Sequence, residues 1–548
     1  MNSNQPFSGL ANMFRMLLIF LCILGQSQGL TIAIGMTFGS LSHVNTYFHA
    51  SKLLLEQNHT LVFATPSQYF KFTKDFPHVT TFDIGQMAVQ EDVMLEKIIR
   101  QESMSSKVIV HFMKQFSDNL ETSIKGYQSL HEKMHVDLML CDFGEEGCMT
   151  VAKHYKVRVG ILSHLGFDGW GLEWYIPSFI GEAISQKSHI ESFWTRTYNQ
   201  LQILSVVPSL MSIDSKNQAL KEKLGFGGIP KPSAKDSFVF GHSFQGFVPA
   251  RPIPSNGVVF GPMIYPDLTP FNPELKAKLD GFHSVGLSVV YIAFGSVANS
   301  DNVGINDRLI ETIRLLLRQS KKLVVLWSVT KAKIDIKSLL EEFGSRFVAL
   351  SWVQQKHVLA HPAVKVFLTH GGQGSIHEAI YYGKPLVVCP LFGDQFSNAI
   401  MVIENGIGLQ VRKLRFTPEE LANKLMVMMF ATGVDLPINK ETIKALPVPN
   451  PEEWVKNVQS QLTKFNKLAI MNSDSHPQLV ANAMHMIATV GYDHLIPADA
   501  KLSIFDRVPF SVILVSILFG TFLVNTSIRF SSWILRTLFV QKSKVKTD

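Results

Sequence analysis

Trp352 to Gln395 reads WVQQKHVLAHPAVKVFLTHGGQGSIHEAIYYGKPLVVCPLFGDQ. Inside it, VKVFLTH (Val364 to His370) is a short apolar run between a proline turn and a glycine loop, the pattern of a buried strand. The loop Gly371-Gly372-Gln373-Gly374 then opens a helix at Ser375, which Gly383 and Pro385 close. A glycine loop feeding a helix start presents backbone N–H groups and the positive end of a dipole to an anion. It is a phosphate cradle without the lysine of a Walker loop. A ligand-free reading stands beside it, because Ser375-x-x-Glu378 has the spacing of a capping box.

Strand and helix alternate on both sides of this segment. Leu30–Met36, Leu61–Ala64, Val136–Cys141 and Lys156–Leu162 read as strands, with a helix over Val44–Glu56. A Pro- and Gly-rich stretch from Pro249 to Pro273 interrupts the pattern, and it restarts with strands at Leu287–Phe294, Lys322–Val329, Phe347–Leu350 and Pro385–Cys389 and a helix over Asn306–Gln319. Such βαβ grammar implies parallel sheets, and 548 residues exceed one core. The expectation is an α/β protein with two Rossmann-like halves, 30–253 and 276–450, joined by a linker over 254–275 and facing each other across a cleft. Residues 451–507, helical over Glu452–Ala488, are expected to pack back across the body.

Two apolar segments frame the chain. MFRMLLIFLCILG from Met13, ending in Ser27-Gln28-Gly29, has the length and small-residue end of a signal peptide, placed at 1–29. VPFSVILVSILFGTFLVNTSI, Val508–Ile528, would form a helix about 31 Å long, enough to cross the hydrocarbon core. Net charge is +7, of which the tail 529–548 supplies +4: Arg529, Arg536, Lys542, Lys544 and Lys546 against Asp548. The body is therefore nearly neutral and carries no basic stripe for nucleic acid. The positive-inside rule puts the tail in the cytosol and the body in a lumen, a single-pass type I arrangement. Lys544 and Lys546 match a cytosolic retrieval signal of endoplasmic reticulum membrane proteins, and Asn58-His59-Thr60 is a glycosylation sequon. Of the cysteines, Cys141, Cys148 and Cys389 would remain after signal removal, an odd count that argues against a disulfide framework.

The Trp352–Gln395 segment resembles the signature of the UDP-glycosyltransferase superfamily. Trp352, Gln355, Val358-Leu359, Thr369-His370-Gly371-Gly372, Ser375, Pro385, Pro390 and Asp394-Gln395 all fall at the family's spacing. Phe294-Gly295-Ser296 and Tyr175-Ile176-Pro177-Ser178 follow in family order. The resemblance implies the GT-B fold and a UDP-sugar co-substrate with no metal. Trp352 would stack on uracil, and Gln355 and Glu378 would bind the ribose. His370, Ser375, Gly372 and the backbone near Ser296 would hold the diphosphate, and Asp394 and Gln395 the sugar. One departure is Gly374, where many relatives carry Asn.

The first half should supply the acceptor site and the base. Gly39-Ser40-Leu41-Ser42-His43 lies between the first strand and first helix, where a crevice forms. The helix dipole there disfavours a charged His43 and leaves it able to accept a proton. Asp142 ends another strand within reach of the ring, and the family's catalytic His and Asp fall on these two residues. Asp137 begins that strand and should point away. The aromatic stretch GFDGWGLEWYIPSFI, Gly166 to Ile180, suits an apolar acceptor pocket, a membrane face or core equally. His131-Glu132-Lys133-Met134-His135 matches the zincin pattern, but the helix should stop at His135 and no third ligand follows. The resulting reading is an inverting transferase moving glucose or glucuronate to a hydroxyl of a small lipophilic acceptor. Its alternatives are a catalytically silent partner subunit and a dedicated lipid or sterol glycosyltransferase.

Overall fold

Seven strands, all parallel, make the first sheet of this computed structural model, in the order β3-β2-β1-β4-β5-β6-β7. The strands are β1 (Thr31–Gly35), β2 (Thr60–Thr65), β3 (Val79–Asp83), β4 (Leu138–Asp142), β5 (Arg158–Ser163), β6 (Phe238–His242) and β7 (Gly257–Phe260). A second parallel sheet runs β10-β9-β8-β11-β12-β13. Its strands are β8 (Ser288–Ala293), β9 (Leu323–Ser328), β10 (Phe347–Leu350), β11 (Val364–Thr369), β12 (Leu386–Val388) and β13 (Gly408–Gln410). The structure describes residues 29–38, 41–88, 98–103, 105–163, 184–230, 233, 235–265, 269–295, 304–329, 336–497 and 510–544. The signal segment, the Gly166–Ile180 stretch, Ser296 and Lys546 lie outside them.

The strands are near-continuous apolar runs because helices cover both faces of a parallel sheet. In the second half SVVYIA and LVVLWS are buried at every position. The helices that shape the site are α1 (Leu41–Glu56), α2 (Ser106–Lys133), α3 (Glu146–His154), α4 (Gln373–Tyr381), α5 (Gln395–Glu404) and α6 (Pro451–Thr489). Strand order reverses between β1 and β4 in one sheet and between β8 and β11 in the other. Those are the switch points where a crevice opens beyond the strand ends.

Helix α6 does pack back on the body. Its first part buries Val455, Val458, Leu462 and Phe465 in the core of the second half. Its last part receives the Arg158 guanidinium on the Ala488 carbonyl (2.6 Å), and His485 meets His59 at 2.8 Å.

Two expectations change. The 254–275 segment is not all linker: Gly257–Phe260 is the edge strand β7, and a helix begins at Pro273. Cys141 and Cys148 are disulfide-bonded, leaving Cys389 buried and reduced. The bridge spans seven positions, so it staples one turn, and the fold still rests on its apolar cores. The C-terminal apolar helix, α7 (Phe510–Lys544), continues through Arg529, and among the described residues Leu514–Ile534 is long and apolar enough to cross a membrane. It belongs to a separate compact unit, Leu495–Asp548.

Candidate active site

β1 delivers the chain into the loop before α1, and His43 stands in the first turn of α1. β4 ends on Asp142, and β1 and β4 are paired neighbours, Gly35 opposite Cys141. Adjacent strand ends therefore bring the two side chains together. His43 Nδ1 lies 2.9 Å from Asp142 Oδ2, with side chains 16% and 7% exposed. A carboxylate only accepts, so Nδ1 carries the hydrogen and the neutral ring's lone pair sits on Nε2. Asp137 lies at the opposite strand ends, as expected, accepting from the Thr31 N–H at 2.7 Å.

The protonation of His43 differs from the dipole argument. Burial is the largest influence and pulls its pKa down, but Asp142's charge and hydrogen bond and the charge of Asp394 carry it above the ordinary value. Asp394 comes from the other half, so the cleft brings both halves to one imidazole.

The second half builds a cradle from β8, β11 and α4. His370 follows β11, and burial lowers its pKa to about 4, so the ring is neutral at physiological pH. Gly295 (φ +75°) closes against it: a Cβ there would lie 2.9 Å from His370 Cε1. Gly371 takes φ +84°, a left-handed conformation that side chains rarely adopt, and an added Cβ would strike Val388. The loop then turns into α4, whose start no side chain caps. The capping-box reading fails because Glu378 turns elsewhere: its Oε2 accepts from Gln355 Nε2 at 2.8 Å. Gln355 also reaches Ser375 Oγ (3.3 Å) and accepts from the Tyr291 hydroxyl (3.2 Å). Tyr291 was not legible as part of the site, because its place in strand β8 marks it as core.

Trp352 is 69% exposed, an open indole face just before the Gln355–Ala360 helix. Asp394 occupies the N-cap position of α5 without a side-chain capping bond and accepts from Asn398 Nδ2 at 2.7 Å, while the same Nδ2 donates to the Gly371 carbonyl at 3.0 Å. The Gln395 amide oxygen accepts from the Leu391 and Phe392 N–H groups at 2.8 and 3.1 Å, which leaves its NH₂ as the group it can offer a ligand. Gln373 Nε2 donates to the His242 carbonyl at 2.7 Å, tying the cradle's helix to the first half. The zincin-like histidines do not converge. α2 ends at Lys133, the His131 ring stacks on Tyr155 at 4.0 Å, and His135 turns to Asp137.

The imidazole–carboxylate pair thus lies within electrostatic reach of Asp394, which shares Asn398 with the loop before a helix start that no side chain caps. The family model described as UDP-glucoronosyl and UDP-glucosyl transferase matches residues 39–433, most of the chain. The chain belongs to that family. It is a glycosyltransferase whose sugar donor is a UDP-sugar. A UDP-glycosyltransferase of Talaromyces amestolkiae is 22% identical over 404 residues, 69% of this chain and 76% of that protein. The UDP-glucuronosyltransferase 3A1 of Homo sapiens is 29% identical over 233 residues, 42% of this chain and 43% of that protein. Among solved structures, a UDP-glucosyltransferase from Polygonum tinctorium gives a TM-score of 0.55 at 17% identity, over 85% of this glycosyltransferase and 99% of that chain. A UDP-glucose: anthocyanidin 3-O-glucosyltransferase in complex with UDP gives 0.52 at 18% identity, over 83% and 99%. These likenesses show the GT-B fold.

Proposed function

We propose that this glycosyltransferase is inverting and moves glucose or glucuronate onto a hydroxyl of a small lipophilic acceptor. The observation that carries the reading is the 2.9 Å His43–Asp142 pair at the cleft, with Asp394 near enough to act on it. His43 Nε2 takes the acceptor hydroxyl's proton as that oxygen attacks the anomeric carbon from the face opposite UDP. Asp142 fixes the tautomer and stabilises the imidazolium that forms, as the aspartate of a serine-protease triad does. The leaving diphosphate's charge is taken up by the Gly371–Ser375 helix start and the neutral His370, and no metal is invoked. Trp352 stacks on uracil, Gln355 and Glu378 hold the ribose, and Asp394 and Gln395 hold the sugar. Mass spectrometry of products from purified protein, offered a panel of UDP-sugars with phenolic and steroid acceptors, tests this. UDP binding with transfer to none of them would reject it.

The pH dependence has a definite sign. The base form of His43 is neutral, so kcat/KM rises with pH, with its midpoint above the ordinary histidine value of about 6.5. Asp142→Asn removes the main opposing charge, lets burial dominate and moves that midpoint down. Asp394→Asn moves it the same way by less. A midpoint that stays put in Asp142→Asn would contradict the assignment.

For topology, the proposal is an endoplasmic reticulum membrane protein with a luminal body, a cleaved signal and a cytosolic tail. The Leu514–Ile534 window and the exposed Asn58 side chain support it. Protease added to sealed microsomes is expected to remove only the tail, and endoglycosidase to lower the mass through Asn58. Digestion of the body without detergent would reject the luminal placement.

A further inference from the structure

β4 runs into a tight turn, Asp142 to Glu145, in which the Glu145 N–H donates to the Asp142 carbonyl at 3.0 Å. The Glu145 side chain does not leave the core; the residue is 4% exposed. A carboxyl group at such depth needs partners, and here they come from two other elements. Oε2 accepts from the Thr37 N–H at 3.0 Å and also meets the Thr37 hydroxyl. Oε1 meets the Ser123 hydroxyl of α2. Thr37 begins the loop that leads from β1 to His43. One carboxyl group therefore joins the loop to the base, the long helix α2 and the turn that carries Asp142. The Cys141–Cys148 bridge encloses that same turn.

We propose that Glu145 is a positioning residue for the transfer reaction: its carboxyl group ties the Thr37 loop to the turn after β4 and so fixes His43 against Asp142. The proposal rests on the His43–Asp142 reading above. Glu145 touches neither substrate, and its effect passes through the spacing of the pair. Truncation leaves the buried Thr37 N–H, Thr37 hydroxyl and Ser123 hydroxyl without their shared partner and loosens the loop. A misplacement of about 1 Å at a reacting group costs roughly 10²-fold in rate.

The tie also changes charge. Burial pushes the Glu145 carboxyl up to about 7, aided by the Asp142 charge and opposed by the Ser123 and Thr37 hydrogen bonds. The titratable groups that face it are Asp142 on its own turn and Tyr127 from α2. Above that pH the wild-type protein carries a second negative charge behind the pair, which favours proton uptake by His43. A glutamine keeps one acceptor and one donor for the ties and never ionises.

Three variants test this in the full-length protein: His43→Ala, Glu145→Ala and Glu145→Gln. Glu145→Ala is expected to lose about 10–100-fold in kcat with UDP affinity unchanged, and Glu145→Gln to recover most of that rate. The pH midpoint of kcat/KM is expected to lie lower in Glu145→Gln than in wild type, because no charge forms behind the pair to raise it. A role in packing alone leaves that midpoint where it is in wild type, and that result would overturn the proposal even if Glu145→Ala fails to fold. Wild-type kcat in Glu145→Ala beside a crippled His43→Ala overturns the proposal and leaves the pair standing. Wild-type kcat in His43→Ala removes the underlying reading instead.

Discussion

His43→Ala is expected to lower kcat by about 10²–10⁴-fold, the loss of roughly 3–5 kcal/mol of barrier reduction that general-base assistance would supply. UDP affinity is expected to stay near that of wild type, because the imidazole lies in the first half and the proposed nucleotide cradle in the second. Asp142→Asn falls in the same range: an amide at 2.9 Å from Nδ1 supplies neither the charge nor the constraint on the tautomer. The double variant loses little beyond the worse single one, because the pair acts as a unit. Steady-state kinetics with a saturating donor, beside calorimetry with UDP, separates the two effects. Turnover of His43→Ala at the wild-type rate would remove the base from the mechanism.

Gly371→Ala is expected to weaken UDP binding by about 5–150-fold. A side chain at φ +84° is strained and an added Cβ runs into Val388, and such strain costs about 1–3 kcal/mol. The unliganded loop relaxes to escape it, so binding must rebuild the cradle against that cost. Trp352→Ala acts on the other end of the nucleotide and leaves the backbone intact. It removes a stack worth about 0.5–1.5 kcal/mol beyond area burial, so its loss is about tenfold. Calorimetry with UDP ranks the two. Equal affinity in Gly371→Ala and wild type would mean that the glycine loop does not hold the diphosphate.

Much of this was legible in the chain, for physical reasons that also set the limits. VKVFLT is apolar at most positions, so the strand read over Val364 to His370 runs only one residue past β11. The meeting of His43 with Asp142 was legible because the connection after β1 and the end of β4 share one crevice: Asp142 ends β4, and His43 opens α1. β7 was missed because GVVF is four residues long and lies in a proline-rich stretch that reads as linker. The charge state of His43 was read from its own helix alone; the charge and hydrogen bond of Asp142, with a smaller push from Asp394, change the sign. Glu145 and Tyr291 owe their roles to partners far along the chain, Thr37 and Gln355, and no local pattern marks such pairs. The Cys141–Cys148 bridge escaped because an odd count says nothing of local pairs.

Single displacement at the anomeric carbon is the centre of the account, and the product's configuration reports it. Nuclear magnetic resonance of the glycoside formed from an α-linked UDP-sugar is expected to show the large anomeric proton coupling of a β-glycoside. The small coupling of an α-glycoside would contradict an in-line attack assisted by His43.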